Sequence, residues 1–398
     1  MAFIKGVFGA YPRNYITKDE LMKLFEHKSF NYSQEKLQTI KKIISSMNVQ
    51  GRPTCVNFKQ FWEDLDEDKC PCTIERPSTD NLFRGAKDPF NPTLGERAVI
   101  WESAVKLKLI ASMVYFTYRT IAKIQDLALK AAKGLLAKTK TNKADLECII
   151  TNTSSGVMLP NLSTWLPQQL QLSNLKCNYS LDNTGCGGAI TCLDVARSTI
   201  LSGRARSVLV VTVDCSTTHM NTDDEIEMEG ILPNLLFGDG AGAVLITDQK
   251  DEGLWELNEP DCVLMDGETS SFINMRTKEN GYYLNLSKEL VPSLATALSQ
   301  NWSRILKNLT KTSNTDEVEW LVHPGGKAIL ETFTRLEPPL SHSNLRHSLK
   351  VMEEKGNLVS ATLLFVLELM LSQPSKEVAC LIGPGPGVEV KFMSLNKV

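Results

Sequence analysis

Hydrophobic and polar positions along the chain form one pattern that occurs twice. Four short, continuously apolar runs predict buried strands, at residues 146–151, 207–212, 318–322 and 378–382. An apolar segment with helical spacing precedes the second strand of each pair, at residues 189–201 and 360–371. Strands without polar alternation are typical of parallel sheets that are covered on both faces. The pattern therefore predicts an α/β fold made of two halves, each with the order strand, loop, helix and strand.

Other segments of the chain predict elements outside this repeat. They are a strand at residues 3–9, a helix at 34–46 and a long helical stretch with breaks at 94–138. Thr17 and Glu20 have the spacing of a capping box, which predicts that a helix begins between them. Residues 64–91 are charged and rich in proline, and they predict an exposed, irregular insertion.

A glycine-rich run at residues 236–246 resembles a dinucleotide-binding loop in its spacing. Such a loop lies between a strand and a helix, whereas an apolar strand pattern follows the glycines of this chain. We therefore expect a tight turn that enters a β-hairpin rather than a nucleotide site.

Composition narrows the class of protein. The chain has 398 residues, of which 42% are hydrophobic, and this is enough for two packed units. The net charge of −3 argues against a nucleic-acid-binding protein, which usually carries a basic surface. The ten cysteines are irregularly spaced, and Cys70-Pro71-Cys72 lacks a second pair at zinc-site spacing, so we expect no metal. Neither a signal-peptide pattern nor a long uncharged apolar run is present, which predicts a cytoplasmic protein without a membrane span.

Cys186 has the surroundings of a nucleophile. It lies in a glycine-rich loop between an extended run and the predicted helix at 189–201. The peptide dipoles at a helix N-terminus stabilise a thiolate, and flanking glycines leave room for a substrate to approach the sulfur. A buried, inert cysteine remains an alternative, because cysteines are often small core residues.

Two residues of the second half occupy similar places. His323 follows the predicted strand at 318–322, and Asn357 precedes the predicted helix at 360–371. Each has a structural alternative, because the histidine precedes a Pro-Gly-Gly turn and asparagine commonly caps helices. If the two halves face each other, however, both residues lie beside Cys186 at the ends of strands, where α/β sheets bind ligands.

The three side chains suit one type of chemistry. A Cys186 thiolate with His323 as its partner can attack a thioester and hold the acyl group. His323 and Asn357 can then donate hydrogen bonds to a carbonyl oxygen that becomes negative, as in the loss of carbon dioxide from a malonyl thioester. That step needs no carboxylate base, and these loops contain no obvious Asp or Glu.

These residues, together with the motifs around them, resemble the type III polyketide synthases, the chalcone-synthase-like branch of the thiolase fold. The resemblance covers nearly the whole chain and rests on five motifs: Gly185-Cys186, residues 236–241, residues 320–326, Gly356-Asn357 and residues 383–387. It implies a homodimer with a five-layered αβαβα core, in which residues 1–247 carry the nucleophile and residues 248–398 carry the histidine and asparagine. It also implies a Cys186–His323–Asn357 site that is loaded from an acyl-CoA starter, is extended with malonyl-CoA and uses no cofactor.

The resemblance implies further roles for single residues. Phe237 matches the gatekeeper at the mouth of the site, Leu159 matches a residue that lines the partner's cavity, and Arg52 lies where the family has a basic residue near the CoA phosphates. A solvated surface arginine is the alternative for Arg52. Other positions that are expected to line the cavity are Ser216, His219, Met275, Leu284, Val359 and Pro384.

The sequence departs from the family pattern at several of these positions. Pro384 replaces a phenylalanine in the C-terminal glycine loop, and Gly187 replaces an aromatic residue after the nucleophile. Met275 stands where many members have glycine, and His219 where many have threonine. Larger side chains shrink a cavity, so we expect a small or aliphatic starter, few extensions and a product other than chalcone.

Several other functions remain open at this point. A β-ketoacyl-carrier-protein synthase III shares the fold and the three residues but takes its extender from an acidic carrier protein, and a catalytically inactive relative is also possible. Thiolases need a second cysteine near residues 383–385, and hydroxymethylglutaryl-CoA synthases need a glutamate that the sequence does not place. A papain-like protease has the same residue order, but it has a different sequence around its cysteine and lacks buried parallel strands.

Overall fold

The computed structural model describes residues 1–26, 32–56, 58, 104–219, 228–265, 267–278 and 281–398. The predicted insertion at 64–91 and Cys70-Pro71-Cys72 lie outside these ranges. The strands of the described residues are β1 (Phe3–Ala10), β2 (Asn14–Thr17), β3 (Gly51–Thr54), β4 (Cys148–Asn152), β5 (Cys177–Ser180), β6 (Ser207–Cys215), β7 (Asp239–Thr247), β8 (Trp255–Leu264), β9 (Ile273–Lys278), β10 (Gly281–Leu286), β11 (Val318–Val322), β12 (Val378–Gly385) and β13 (Glu389–Lys397).

The helices account for most of the remaining described chain. They are α1 (Lys18–Glu26), α2 (Gln34–Ser46), α3 (Ala104–Thr139), α4 (Leu162–Leu170), α5 (Gly188–Leu201), α6 (Met228–Leu236), α7 (Leu290–Ile305), α8 (Lys327–Phe333), α9 (Arg346–Lys355) and α10 (Thr362–Ser372). No helix within the described ranges is both long enough and apolar enough to cross a membrane.

The sheet confirms that the two halves repeat one topology. Nine strands hydrogen-bond in the order β11-β12-β13-β8-β1-β7-β6-β4-β5. In the first half, β1, β7 and β6 pair antiparallel, whereas β6, β4 and β5 pair parallel. In the second half, β8, β13 and β12 pair antiparallel, and β12 pairs parallel with β11. The sequence order β1, β4, β6, β7 is therefore matched by β8, β11, β12, β13.

Side-chain alternation along the strands produces a layered core. Val208 and Val210 of β6 share one core with apolar residues of α5, α10 and the second half's strands, whereas Leu209 and Val211 pack with α3 and α4. The opposite face of the second half's strands packs against α7, α8 and α9. Because successive strand residues point to opposite faces, α5 and α10 lie between the two half-sheets and the other helices lie outside. The expected αβαβα order is present.

The first half of the chain contains both the predicted capping box and the predicted long helix. The capping box forms: Thr17 N–H donates to Glu20 Oε2 at 2.8 Å, and Glu20 N–H donates to Thr17 Oγ1 at 3.2 Å. The long helical stretch is one helix from Ala104 to Thr139, without the expected breaks in that range.

The glycine-rich run after position 236 differs from its prediction in one respect. No helix follows it, so this run is not a dinucleotide-binding loop, as expected. The strand that does follow, β7, does not belong to a hairpin: it is a central strand between β1 and β6, and α6 lies in the connection from β6. Its glycines allow close packing, since a Cβ at Gly242 would lie 2.6 Å from Cβ of Leu364 in α10.

Candidate active site

The turn that carries Cys186 joins β5 to α5 and depends on its glycines. Gly185 has a φ of +57°, and a Cβ on it would lie 2.6 Å from the Pro386 ring. A Cβ on Gly188 would lie 2.6 Å from Asn152 Oδ1. Gly185–Gly187 forms a single 3₁₀ turn, and α5 begins at the next residue. The sequence therefore places the Cys186 thiol at the N-terminus of a buried helix, as predicted.

Gly187, the departure beside the nucleophile, has more space around it. A Cβ there would approach Glu389 Oε1 at 3.7 Å and the Gly383 carbonyl oxygen at 3.8 Å, which are ordinary contact distances. Its φ of −76° suits any residue. Packing at the Cβ position therefore does not require glycine at 187.

The electrostatic surroundings keep Cys186 protonated. Burial and the nearby Asp214 carboxylate raise the pKa of the thiol to about 12, although a hydrogen bond with the Asn357 side chain lowers it in part. Desolvation disfavours the charged form of a thiol, and a neighbouring anion adds to that effect. The helix dipole alone thus does not produce a thiolate in the free protein.

The amide of Asn357 has a fixed orientation. Its Oδ1 accepts hydrogen bonds from Val359 N–H at 2.8 Å and from Thr362 Oγ1 at 3.2 Å. The backbone of Asn357 is held on both sides, since its N–H donates to Leu236 O at 3.0 Å and its carbonyl accepts from Gly238 N–H at 2.8 Å. With Oδ1 occupied by donors, the Nδ2 group is the part of the amide that faces Cys186 and is free to act as a donor.

His323 is fully buried and its ring has no hydrogen-bond partner among the described residues. Both ring nitrogens, Nδ1 and Nε2, are buried without a hydrogen bond. Burial alone lowers the pKa of the imidazole to about 3, so the ring is neutral at physiological pH. Buried polar atoms are nearly always paired, so two orphaned ring nitrogens indicate a position made for a ligand or a reacting group.

The sheet brings His323 to the same edge as Cys186. The histidine directly follows β11, and its N–H donates to Ile382 O of β12 at 2.8 Å. The next residue of β12, Gly383, packs against Cys186 and Gly187: a Cβ on it would lie 3.7 Å from the Cys186 carbonyl oxygen. Cys186 and His323 therefore both lie beside Ile382 and Gly383 of β12, and Asn357 joins them through its side-chain hydrogen bond with Cys186.

Of the other predicted cavity positions, Phe237 and Val359 contact Asn357. Phe237 is buried and forms a bridge with Asn357, and Val359 is buried with a φ of +52°. Ser216 and His219 form the turn after β6, while Leu284 and Met275 face each other in the β9–β10 hairpin. Met275 is 48% exposed, so the structure does not bury it in a cavity wall.

Pro384 and Leu159 occupy different settings from these residues. Pro384 is not in a loop, because β12 continues through Gly385 and Pro384 lies opposite Val390 of β13. Leu159 lies in the loop after β4 and is 98% exposed, so the residues of its own chain do not bury it. An apolar side chain this exposed is consistent with a contact outside the chain.

Arg52 does not have the placement expected of a CoA-binding residue. Its side chain is 1% exposed, and its guanidinium donates to the carbonyl oxygens of Leu235 and Asn234 at the end of α6. Burial lowers the pKa of Arg52 to about 10, although Asp239 opposes the shift. Cations commonly satisfy the free carbonyls at a helix C-terminus, so Arg52 has a structural role and its predicted phosphate contact is not supported.

Sequence reasoning missed Asp214, which lies next to the site. It is fully buried near the end of β6, and burial raises its pKa to about 6 although four hydrogen bonds oppose the shift. A carboxylate in an otherwise apolar strand costs free energy unless it is paired. The single acidic residue after the apolar run at 207–212 was therefore a signal available from the sequence.

No three metal-ligating side chains converge in the part of the chain that the structure describes.

Comparisons with known proteins agree with this architecture. Residues 263–397 match the family model described as chalcone and stilbene synthases, C-terminal domain, and residues 182–259 match that of 3-oxoacyl-[acyl-carrier-protein] synthase III. Among solved structures, the chain is similar to a fungal type III polyketide synthase, ORAS, at 19% identity with a TM-score of 0.76, and to a type III pentaketide synthase from Neurospora crassa at 19% identity with a TM-score of 0.75. Each of these two matches covers 100% of both chains.

A third similar structure has the highest TM-score of the three. It is the C-terminal type III polyketide synthase domain of Steely1, a type I/III hybrid from Dictyostelium, with 18% identity, a TM-score of 0.81 and coverage of 100% of this chain and 99% of that domain. At this identity the structural likeness establishes the fold. The chain has the thiolase-like fold of the type III polyketide synthases, and its C-terminal third matches the C-terminal domain of chalcone and stilbene synthases.

Proposed function

We propose that the protein is a type III polyketide synthase, which loads an acyl group from acyl-CoA onto Cys186 and extends it with malonyl-CoA. The observation that carries this proposal is the group formed by Cys186, His323 and Asn357 beside β12. A thiol contacts a fixed amide donor, and a neutral imidazole with two unsatisfied nitrogens lies at the same edge. The fold and the match over residues 263–397 support the same function.

In the loading step, His323 accepts the thiol proton as Cys186 Sγ attacks the starter thioester. The new bond joins Sγ to the acyl carbon, the bond from that carbon to the CoA sulfur breaks, and the proton passes from the imidazole to the leaving CoA thiolate. Burial disfavours an isolated thiolate or imidazolium, but a pair formed together partly compensates for that cost. His323 suits this role because its ring is neutral before the reaction.

In the extension step, Asn357 Nδ2 and His323 donate hydrogen bonds to the thioester oxygen of malonyl-CoA. The bond to the carboxylate breaks, carbon dioxide leaves, and the electron pair forms an enolate on that oxygen. The enolate carbon then attacks the acyl group on Cys186, a carbon–carbon bond forms, and the Cys186 thiolate leaves and takes up a proton from water. Fixed donors of this kind contribute about 100-fold or more each to rate.

The proposal includes a homodimer and a cytoplasmic location. Leu159 and Val157 are 98% and 75% exposed in one loop, and β5 is at the edge of the sheet that the described strands form. Unpaired sheet edges and exposed apolar side chains favour association. A reducing compartment is supported by the eight cysteines of the described chain, all of which are free thiols.

The test uses purified protein with malonyl-CoA, a panel of acyl-CoA starters and no carrier protein. We expect release of carbon dioxide, a mass increase on Cys186 after starter addition, and polyketide products by mass spectrometry. Cys186→Ala should lose the mass increase and the products but keep malonyl-CoA decarboxylation, because Asn357 and His323 promote that step. Small or aliphatic starters should be preferred. Efficient use of bulky aromatic starters with three extensions would disprove the starter prediction.

The second candidate is a β-ketoacyl-carrier-protein synthase III, which the match over residues 182–259 favours. Activity that appears only when malonyl-carrier-protein replaces malonyl-CoA would establish this function instead.

A further inference from the structure

Asp214 takes no part in the chemistry just described, yet it lies between the supports of two reacting side chains. It is fully buried in β6, and its two carboxylate oxygens accept hydrogen bonds from two different loops. Oδ1 accepts from Ser154 N–H at 2.7 Å and from Ser155 Oγ at 2.9 Å. Oδ2 accepts from Ser360 N–H at 3.1 Å and from Ser360 Oγ at 2.5 Å.

The loop on the Oδ1 side supports the nucleophile. Ser154 Oγ accepts a hydrogen bond from Gly185 N–H at 3.1 Å, directly before Cys186 in the chain. Ser155 Oγ also accepts from Cys215 N–H at 2.8 Å, which ties this loop to the end of β6. The carboxylate therefore reaches the Cys186 turn through one intervening serine.

The loop on the Oδ2 side supports Asn357 and contains a strained residue. Ser360 lies in the 3₁₀ turn Val359–Ala361, where Val359 has a φ of +52°. A β-branched residue rarely adopts this left-handed conformation, so the surrounding contacts must hold it. Val359 N–H is the group that donates to Asn357 Oδ1, so this strained turn also fixes the amide.

We propose that Asp214 is a positioning residue: by holding Ser360 it keeps the Val359 turn in its strained conformation and so directs Asn357 Nδ2 at the reacting centre. This inference rests on the proposed function. It assigns Asp214 to the decarboxylation step, which needs the amide donor, more than to starter loading, which needs Cys186 and His323. Asp214 itself contacts no reacting atom in this assignment.

The test compares variants that change one side of the carboxylate at a time. Ser360→Ala removes a donor on the Asn357 side, and Ser155→Ala removes the matching donor on the Cys186 side. Asp214→Asn keeps the volume but offers one acceptor oxygen in place of two, so it cannot hold both loops. Each variant is assayed for malonyl-CoA decarboxylation, with kcat and KM separated, and for starter loading by intact mass.

For Asp214→Asn we expect kcat of decarboxylation to fall about tenfold to hundredfold with KM for malonyl-CoA within about twofold, because a displaced donor weakens the transition state more than the bound substrate. The kcat of decarboxylation should also fall in Ser360→Ala, by about threefold or more, and it should stay within about twofold of wild type in Ser155→Ala. Starter loading should stay within about threefold in Ser360→Ala.

A rescue variant separates positioning from general destabilisation. Glycine adopts positive φ without a steric penalty, so the turn in Val359→Gly no longer depends on Asp214 to stay in place. Adding Val359→Gly to Asp214→Asn should recover at least about threefold in kcat relative to Asp214→Asn alone, with the single Val359→Gly variant as reference.

The outcomes distinguish the two proposals. A wild-type protein that neither loads starters nor decarboxylates malonyl-CoA refutes the proposed function. An active wild type with Ser360→Ala at the level of Ser155→Ala, or an Asp214→Asn loss that the glycine does not recover, refutes the positioning role and leaves the function standing. If Asp214→Asn does not fold, the comparison of Ser360→Ala with Ser155→Ala decides.

Discussion

At the scale of single residues, the free protein holds its nucleophile and its base in neutral forms. Burial and Asp214 raise the pKa of Cys186 to about 12, and burial lowers the pKa of His323 to about 3. Both shifts disfavour a preformed thiolate–imidazolium pair. We therefore expect the proton of Cys186 to move to His323 during the reaction with the bound thioester and not in the resting protein.

The neutral Cys186 thiol of the free protein predicts how alkylation of this cysteine depends on pH. Because the thiolate is the reactive form, its reaction with iodoacetamide should rise roughly tenfold per pH unit between about pH 7 and 10, with no plateau. The rate is followed on the Cys186 peptide by mass spectrometry. His323→Ala should leave the slope unchanged, whereas a plateau near neutral pH that disappears in His323→Ala would show a resting ion pair.

Residue-scale reasoning from sequence found the reacting groups but not the groups that orient them. A cysteine, a histidine and an asparagine in glycine-rich loops have recognisable chemistry. The family resemblance assigned Arg52 to phosphate binding, but tertiary packing buries its side chain as a cap for α6. Asp214 was missed because hydrogen bonds to Ser154 and Ser360 depend on contacts across long sequence distances.

At the scale of elements, the turn between β5 and α5 offers a matched pair of glycines on either side of Cys186. Alanine at 185 meets a φ of +57° and the Pro386 ring at 2.6 Å, whereas alanine at 187 meets a φ of −76° and contacts of 3.7 Å or more. We expect Gly185→Ala to cost about 1–3 kcal/mol of stability and to slow starter loading at least about tenfold.

The control for this prediction is Gly187→Ala, which should change stability by less than about 1 kcal/mol and leave loading within about threefold. Thermal unfolding and intact-mass loading assays measure both quantities. Equal effects of the two substitutions would show that the left-handed backbone at position 185 is not what the turn requires.

The hydrophobic pattern predicted the strands and helices of the repeated halves, but it did not predict all of their ends. The apolar run at 378–382 identified β12, but backbone pairing with β13 extends the strand through Gly383, Pro384 and Gly385. Glycine and proline lack strand propensity, so only the neighbouring strand reveals this extension. The same limit applied to β7, whose central position depends on β1 and β6 rather than on a local hairpin.

At the scale of the whole molecule, an ion pair between the buried Glu319 carboxylate and Arg346 predicts how stability depends on pH. Glu319 of β11 is fully buried and accepts from Arg346 Nη2 at 2.6 Å and from Ser375 N–H at 2.8 Å. Burial raises the pKa of Glu319, but the nearby His347 ring at 3.6 Å, the hydrogen bonds from Ser375 and the charge on Arg346 outweigh it and lower the pKa to about 2.

A carboxyl group with a depressed folded-state pKa stabilises the protein above its unfolded pKa, and this contribution is lost as pH falls from about 4.5 to 2. The stability difference between wild type and Glu319→Gln should therefore shrink by about 3 kcal/mol across that interval. Denaturant unfolding at a series of pH values measures it. A difference independent of pH would show that Glu319 is not ionised in the folded protein.

Among the described strands, β5 has no counterpart in the second half and lies at the edge of the sheet. The adjoining loop exposes Leu159 almost completely, so a charge at this position has little effect on packing within one chain. If Leu159 instead packs against a second copy, as the proposed homodimer requires, Leu159→Asp buries an unpaired charge at an interface. The substitution should convert the dimer to a monomer in analytical ultracentrifugation while the thermal stability of the isolated chain changes little.

Leu254→Asp provides the matched control for charge at an exposed leucine. Leu254 is 48% exposed and precedes β8 beside Ile4, at the opposite end of the strands from the Leu159 loop. The Leu254→Asp substitution should leave the dimer intact.

The family resemblance also places Leu159 in the partner's cavity. Dimerisation and product length should therefore change together in Leu159→Ala, which removes the side chain without adding charge. A wild-type protein that sediments as a monomer and still forms polyketides would show that each chain completes its own cavity.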